Sequence, residues 1–292
     1  MPDVSIVIVT YNSINFINAC LGSVSCQSFD DSETIVVDNG SIDGTVDFIR
    51  DAYPAVTVVE NETNVGACRA RNQGIEIAKG KYVLTLDCDV TLGDGFIREI
   101  KGAMERAPAD VGMLSPKILR PDKKTVDSTG LLLSRCWRFY DRGSGELDTG
   151  RFDKRPEILG PCSAAALYKM EMLDQLKVGG EYFDENFFFL VEDFDIALRA
   201  RHCGWKAVFT PRAICYHVRN SSGKCPRERQ YLSFRNRYLL MLKNFNLALR
   251  DLPFYLPYDI IRDCYLLLVN KKALGGLREV ISAASKILVK AH

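Results

Sequence analysis

No Cys-x-x-Cys pair occurs among the ten cysteines of this 292-residue chain, and they sit inside apolar runs rather than at small-domain spacings. That fits reduced thiols, as in the cytosol, better than a disulfide framework. No uninterrupted apolar run reaches the roughly 18 residues needed to span a bilayer. The opening Met1-Pro2-Asp3-Val4 lacks a basic region followed by an apolar one, so no signal peptide is expected. No Gly-x-Gly-x-x-Gly follows the first apolar segment and no Gly-x-x-x-x-Gly-Lys occurs, which excludes the dinucleotide fingerprint and the P-loop.

What is present is ordinary globular material, 47% apolar and 26% charged, enough for one large domain with or without an appendage. The net charge of +1 conceals an asymmetry. Residues 219–292 carry 14 Lys/Arg against 5 Asp/Glu, whereas residues 1–218 carry 24 against 32. An acidic body disfavours nucleic acid as a partner. A basic, apolar tail suggests attraction to an anionic surface.

Strand-like apolar runs Val4–Thr10, Glu33–Val37, Val56–Val59 and Tyr82–Leu86 alternate with helical periodicity, as over Ala67–Ala78. This alternation predicts an α/β fold with a mostly parallel, Rossmann-like sheet flanked by helices. Further on, Gly95–Arg106 reads as a helix and Val111–Leu119 as a strand, and residues 120–160 as irregular structure over the sheet edge. A helix opens at Glu192-Asp193-Phe194-Asp195, and Trp205–Phe209 and Ile214–His217 read as two strand pieces. After residue 220 the pattern becomes a basic helical appendage, with Tyr231, Phe234, Tyr238, Leu242 and Phe245 at helical spacing among Arg235, Arg237 and Lys243. The expected division is therefore 1–220 and 221–292. The second part either packs on its own domain or docks peripherally on an anionic membrane.

The chemistry concentrates where the fourth strand ends, at Asp87-Cys88-Asp89. Carboxylates at the C-terminal edge of an open α/β sheet stand where ligands bind. Oxygen donors suit a hard cation such as Mg²⁺ or Mn²⁺. A solvated loop is the alternative.

Six separated motifs then line up: Thr10-Tyr11-Asn12; Val37-Asp38-Asn39-Gly40-Ser41 with Asp43-Gly44-Thr45; Asn64-x-Gly66 with Asn72-Gln73-Gly74; Leu86-Asp87-Cys88-Asp89; Glu192-Asp193-x-Asp195 with Leu198-Arg199 and Gly204-Trp205; and Tyr216-His217. In order and spacing, over about residues 3–245, the chain resembles a family 2 glycosyltransferase of the GT-A fold, and within it the rhamnosyltransferase-like subgroup that builds bacterial surface polysaccharides. One departure is Asp87-Cys88-Asp89, where many of that subgroup carry Asn-Pro-Asp.

The resemblance implies a metal-dependent, inverting transfer of a hexose from a nucleotide-diphosphate sugar, dTDP-rhamnose or a UDP-sugar, to a glycan or lipid-linked acceptor. It implies that Thr10, Tyr11, Asn12, Asp38, Asn39, Gly66 and Asp87 bind the nucleotide-sugar, and that Asp89 and His217 hold Mg²⁺ or Mn²⁺. Asp38 also fits a simple Asx-turn, and a lone histidine such as His217 is often structural. Arg69 or Arg71 is expected to meet phosphate or sugar, unless both are solvated helix charges. Asp193 is the expected general base, with Glu192 behind it. At a helix N-terminus an unpaired Asp193 is expected to stay ionised near neutral pH. Processive relatives carry Gln-x-x-Arg-Trp, whereas Gln230 here is followed by Tyr231-Leu232-Ser233-Phe234-Arg235, so one sugar per encounter is expected. Two other readings are a nucleotidyltransferase, which would show a Gly-rich basic loop after the first strand, and a non-catalytic protein that kept the fold.

Overall fold

The computed structural model describes residues 2–29, 31–219, 226–270, 272 and 275–282. The first half alternates as expected: β1 (Val4–Thr10), α1 (Ile14–Ser25), β2 (Ser32–Asp38), α2 (Thr45–Ala52), β3 (Thr57–Glu60), α3 (Ala67–Ile77) and β4 (Tyr82–Asp87). Runs rich in Val, Ile and Leu make β1 and β4 almost wholly buried, as strands covered by helices on both faces must be. β1 pairs in parallel with β2 on one side and β4 on the other, and β2 with β3. The chain thus runs outward through β2 and β3 and returns to the far side of β1, so β1 and β4 flank a topological switch point.

Helix α3 lies hard against this sheet. A Cβ on Gly74 would come within 2.4 Å of Val7 Cγ1, so only glycine allows the approach.

After β4 come β5 (Val90–Leu92), α4 (Phe96–Arg106) and β6 (Val111–Leu119). The stretch expected to be irregular holds four short strands: β7 (Val126–Ser128), β8 (Leu131–Leu133), β9 (Phe139–Asp141) and β10 (Glu157–Ile158). β8 and β9 form a separate hairpin. These runs, three residues at most, were too short for any periodicity to betray them. β11 (Ala165–Lys169) enters antiparallel between β4 and β6, followed by α5 (Met170–Gln175) and α6 (Glu192–His202).

The two late strand pieces are one strand, β12 (Lys206–His217). It runs parallel to β6 with a register shift between Thr210 and Ile214, where Pro211 has no N–H to give a ladder.

α7 (Pro226–Lys243) and α8 (Phe245–Val269) complete the described helices, with residues 276–282 also helical. The expected helix Leu277–Val289 lies partly outside the described residues. α7 packs inward: Leu239, Leu240 and Met241 join the core that contains Trp137, Phe183 and Phe187. The nine described cysteines are free thiols. Among the described residues no helix is long and apolar enough to cross a membrane.

Candidate active site

A cleft of about 340 Å³ opens at the C-terminal ends of β1 and β4, the size range of small-ligand sites. Thr10 and Tyr11 border it from β1, Asn39 from β2, Gly66 and Arg71 from α3, Asp87 and Asp89 from the end of β4, and Glu192 and Asp193 from α6. The two acidic clusters, more than a hundred positions apart in sequence, therefore share one cavity.

Arg71 joins them. Its guanidinium, 3% exposed, donates from Nη2 to Asp87 Oδ1 at 2.8 Å and from Nη1 to Glu192 Oε1 at 2.6 Å. The paired carboxylates raise the pKa of Arg71 despite its burial, so it is a fixed cation. Of the two arginines on α3, Arg71 reaches the cleft. Arg69 is exposed and borders a different hollow beside Gln73, Glu76 and Glu181.

The second cluster builds from strand pairing. β5 runs antiparallel to β12, setting His217 opposite Val90, and the Val218 N–H donates to Asp89 O. One ligand atom each from Asp87, Asp89 and His217 then lies within 4.8 Å of the others, two carboxylates and an imidazole. His217 Nε2 stands 3.3 Å from Asp89 Oδ1, while Nδ1 is 2.9 Å from Asp127 Oδ2.

Sequence reasoning missed Asp127. It is the extra residue of a bulge, since Val126 pairs with Leu119 and Ser128 with Ile118, consecutive partners across β6. Bulges re-aim side chains, and this one places a fully buried carboxylate behind His217, where Arg219 also meets it. Burial alone would lower the His217 pKa. The hydrogen bonds to Asp127 and Asp89, with the Asp89 and Asp87 charges, push it up to about 10. Asp141 and Arg219, 2.6 Å apart, are further cleft residues contributed by the hairpin and the end of β12, and no motif announced them.

Asp193 is the second residue of α6 and half-buried. The helix dipole expected to keep it ionised meets stronger opposition here. Burial, then the carboxylates of Glu192 and Asp141, raise its pKa well above the usual range, against weaker pulls from Arg71 and the Phe194 N–H. Desolvation and like charges here outweigh the helix dipole. Glu192, by contrast, is buried and held on Arg71.

The backbone before these acids is strained. Phe188 has φ 61° and ψ −59°, and the Phe189 N–H donates to Phe187 O at 2.7 Å, a γ-turn of the rare positive-φ kind. Leu190 and Val191 also have positive φ, 72° and 74°. Each such residue costs about 1–3 kcal/mol and persists only where its surroundings impose it. Two neighbours do so. Gly66, at φ 90°, lets α3 touch the turn, since a Cβ there would lie 2.6 Å from the Phe188 ring. Asn236 of α7, fully buried, directs its amide to the carbonyls of Phe187, Phe189 and Leu190 at 2.7–2.9 Å. Asn236→Ala is therefore expected to cost about 1–3 kcal/mol, read as a lower denaturant midpoint, and to slow any reaction that uses Asp193.

Two expected nucleotide contacts stand beside the cleft rather than among its described lining residues. Asp38 is buried and accepts the Ser41 N–H at 2.7 Å and the Ser41 hydroxyl at 2.5 Å, closing its turn three residues on rather than at the second residue of an Asx-turn. Asn12 accepts the Ile42 N–H through its side chain and donates its own N–H to Ser41 Oγ.

Residues 5–177, more than half of the chain, match the family model described as Glycosyl transferase family 2. The chain is 27% identical over 274 residues to an N-acetylglucosaminyl-diphospho-decaprenol L-rhamnosyltransferase of Mycobacterium tuberculosis, covering 82% of this chain and 85% of that protein. Its fold resembles the mannosyltransferase PcManGT from Pyrobaculum calidifontis, solved with GDP-Man and Mn²⁺, at TM-score 0.58 and 22% identity, over 98% of this chain and 75% of that one. It also resembles S. aureus TarS 1–349, at TM-score 0.61 and 17% identity, over 98% and 81%. In another TarS structure the chain spans 40% of the protein.

Proposed function

Because the chain belongs to glycosyl transferase family 2, we propose that it moves one sugar per encounter from dTDP-rhamnose or a UDP-sugar to a hydroxyl of a glycan or lipid-linked acceptor, inverting the anomeric centre. The observation that carries this reading is the Arg71 bridge, which brings Asp87 and Asp89 to one cleft with Glu192 and Asp193. The rhamnosyltransferase relative supports the donor class and, through the decaprenol in its name, the lipid-linked acceptor.

The donor set fits a divalent cation. Asp87, Asp89 and His217 converge, and Asp127 holds Nδ1–H and fixes the imidazole, the usual carboxylate–histidine support of a metal ligand, so that a cation displacing the Nε2 proton would meet its lone pair. Asp89 and His217, with Asp87, would hold Mg²⁺ or Mn²⁺, the imidazole favouring Mn²⁺. Bound there, the ion supplies Lewis-acid neutralisation of the leaving diphosphate. Asp127→Asn is expected to weaken Mn²⁺ binding about 10–100-fold, measured by calorimetric titration, with the fold retained.

The chain's own residues do the rest. Thr10, Tyr11 and Asn39 border the nucleotide end, and Asp38 orders the turn beside it through Ser41. Arg71 holds Asp87 and Glu192 apart and neutralised. Asp193 takes the acceptor proton as the hydroxyl oxygen attacks C1. The bond from C1 to the diphosphate oxygen breaks, and its electron pair leaves with the nucleoside diphosphate. Residues 1–220 form the catalytic unit, and 221–292 the support from which Arg229 and Ser233 of α7 reach the cleft.

The test is transfer of radiolabelled sugar from a panel of dTDP-, UDP- and GDP-sugars to polyprenyl-diphosphate-linked N-acetylglucosamine. Product of configuration opposite to the donor is expected from a dTDP- or UDP-sugar. Retained configuration, or no transfer from any donor, would overturn the reading.

A further inference from the structure

Helix α8 buries charge as well as apolar surface: Ala248 and Leu266 pack inward. Its inward face carries Asp251, Asp259 and Arg262, each mostly buried. Asp259 meets Arg237 Nη2 at 2.5 Å and Arg262 Nη1 at 3.4 Å, and Asp251 meets Arg135 Nε at 3.3 Å. Its outward face is apolar. Phe245, Leu249, Leu252, Leu256 and Ile260 recur at intervals of three and four, one continuous helical stripe, and are 37–59% exposed. Round the helix from them, Ile261 and Leu268 are 73% and 86% exposed. Water-facing helices show the opposite polarity, and exposed apolar surface this extensive marks an interaction site.

We infer that α8 lies in the plane of an anionic membrane, its outward face sunk among the lipid headgroups and upper acyl chains. Three observations favour lipid over a second copy of the chain. Among the described residues from 245 to 282 the exposed charges are Lys272, Arg278 and Arg250, which also meets Asp251, together with Glu279, which Arg235 and Tyr231 engage. A two-fold partner would set these like charges together, whereas an anionic leaflet attracts them. Pro253 and Pro257 stand on the exposed side of the helix and have no N–H to give the carbonyls of Leu249 and Pro253. Those carbonyls then need water or headgroups, which the interface supplies and a dry protein contact does not. Finally, α8 packs on α7, whose Arg229 and Ser233 border the cleft, so docking by α8 would hold that cleft close to the bilayer. The basic stripe expected on α7 is not the docking face, because α7 turns its apolar residues into the core. The inference rests on the proposed lipid-linked acceptor for its purpose only.

The test is co-sedimentation of the full chain with phosphatidylcholine vesicles, with and without 30 mol% phosphatidylglycerol (about one lipid in three, enough to give a negative surface). Binding to the anionic vesicles is expected, weakened by salt. Leu256→Glu/Ile260→Glu should reduce it about tenfold or more, and Lys272→Gln/Arg278→Gln severalfold, with thermal midpoints little changed because every changed side chain is exposed. No binding to anionic vesicles would overturn the inference. So would a wild-type dimer that the glutamate pair splits while vesicle binding is absent. Binding that ignores both variants would overturn it too. Vesicle binding is read without donor or acceptor, so a chain that docks yet transfers no sugar would contradict the proposed function and leave this inference standing.

Discussion

Asp193→Asn is expected to lower the transfer rate by about 10²–10⁴-fold, the range for loss of a general base, while nucleotide binding stays within about twofold. The same substitution separates a base from a mere helix-terminal acid through stability. A carboxyl whose folded pKa is raised above its unfolded value contributes stability that is fully present below the unfolded pKa and is lost as pH rises through the folded one. For Asp193 that window opens near the ordinary aspartate value of about 3.9 and runs upward, because burial, Glu192 and Asp141 disfavour the charge. At neutral pH the asparagine variant is therefore expected to melt at the same temperature as the wild type or higher, with the gap widening from acid to neutral pH. An acid that merely complements the helix dipole would give a lower melting temperature on amidation. The rate should also rise with pH through the raised pKa before levelling.

Arg71→Met is the second large effect, and it falls first on the fold. The guanidinium is the shared partner of Asp87 and the buried Glu192. Removing one partner of a buried ion pair costs about 3–5 kcal/mol, because the remaining charge is left uncompensated. Adding Glu192→Leu to that variant removes one stranded carboxylate and should recover part of the lost stability, read from denaturant midpoints, without recovering transfer. A single variant as stable as the wild type would mean that Arg71 does not hold the two clusters together.

The sheet was legible because β1, β4 and the second half of β2 are buried on both faces, which writes them as mostly apolar runs ending in Thr10, Asp87 and Asp38. Those ends, and the motif order, also marked the site. The arginine was legible in principle. Ala67, Ala70, Arg71 and Gly74 share one helical face of small residues, the face that can approach a sheet, whereas Arg69 points away from it. Asp127 was not legible, since its place depends on a bulge between strands too short to show a period. The docking face of the tail was not legible for a related reason. Polar residues on α8 are satisfied by Arg237 and Arg135, which sit far off in sequence, so its outward face could not be told from its inward one. His217 reached Asp89 only through the β5–β12 pairing, which a three-residue strand does not announce.

The central claim is that the Asp87–Asp89–His217 group and the nucleotide-binding end of the cleft act as one site. Titration calorimetry of UDP- and dTDP-sugars into the protein, with Mn²⁺ present or chelated, measures this directly. At least one of these donors is expected to bind about tenfold or more tightly with Mn²⁺ (about 1.4 kcal/mol), and Asp89→Ala to abolish the difference. Donor binding indifferent to the metal, or a metal effect that survives Asp89→Ala, would contradict it.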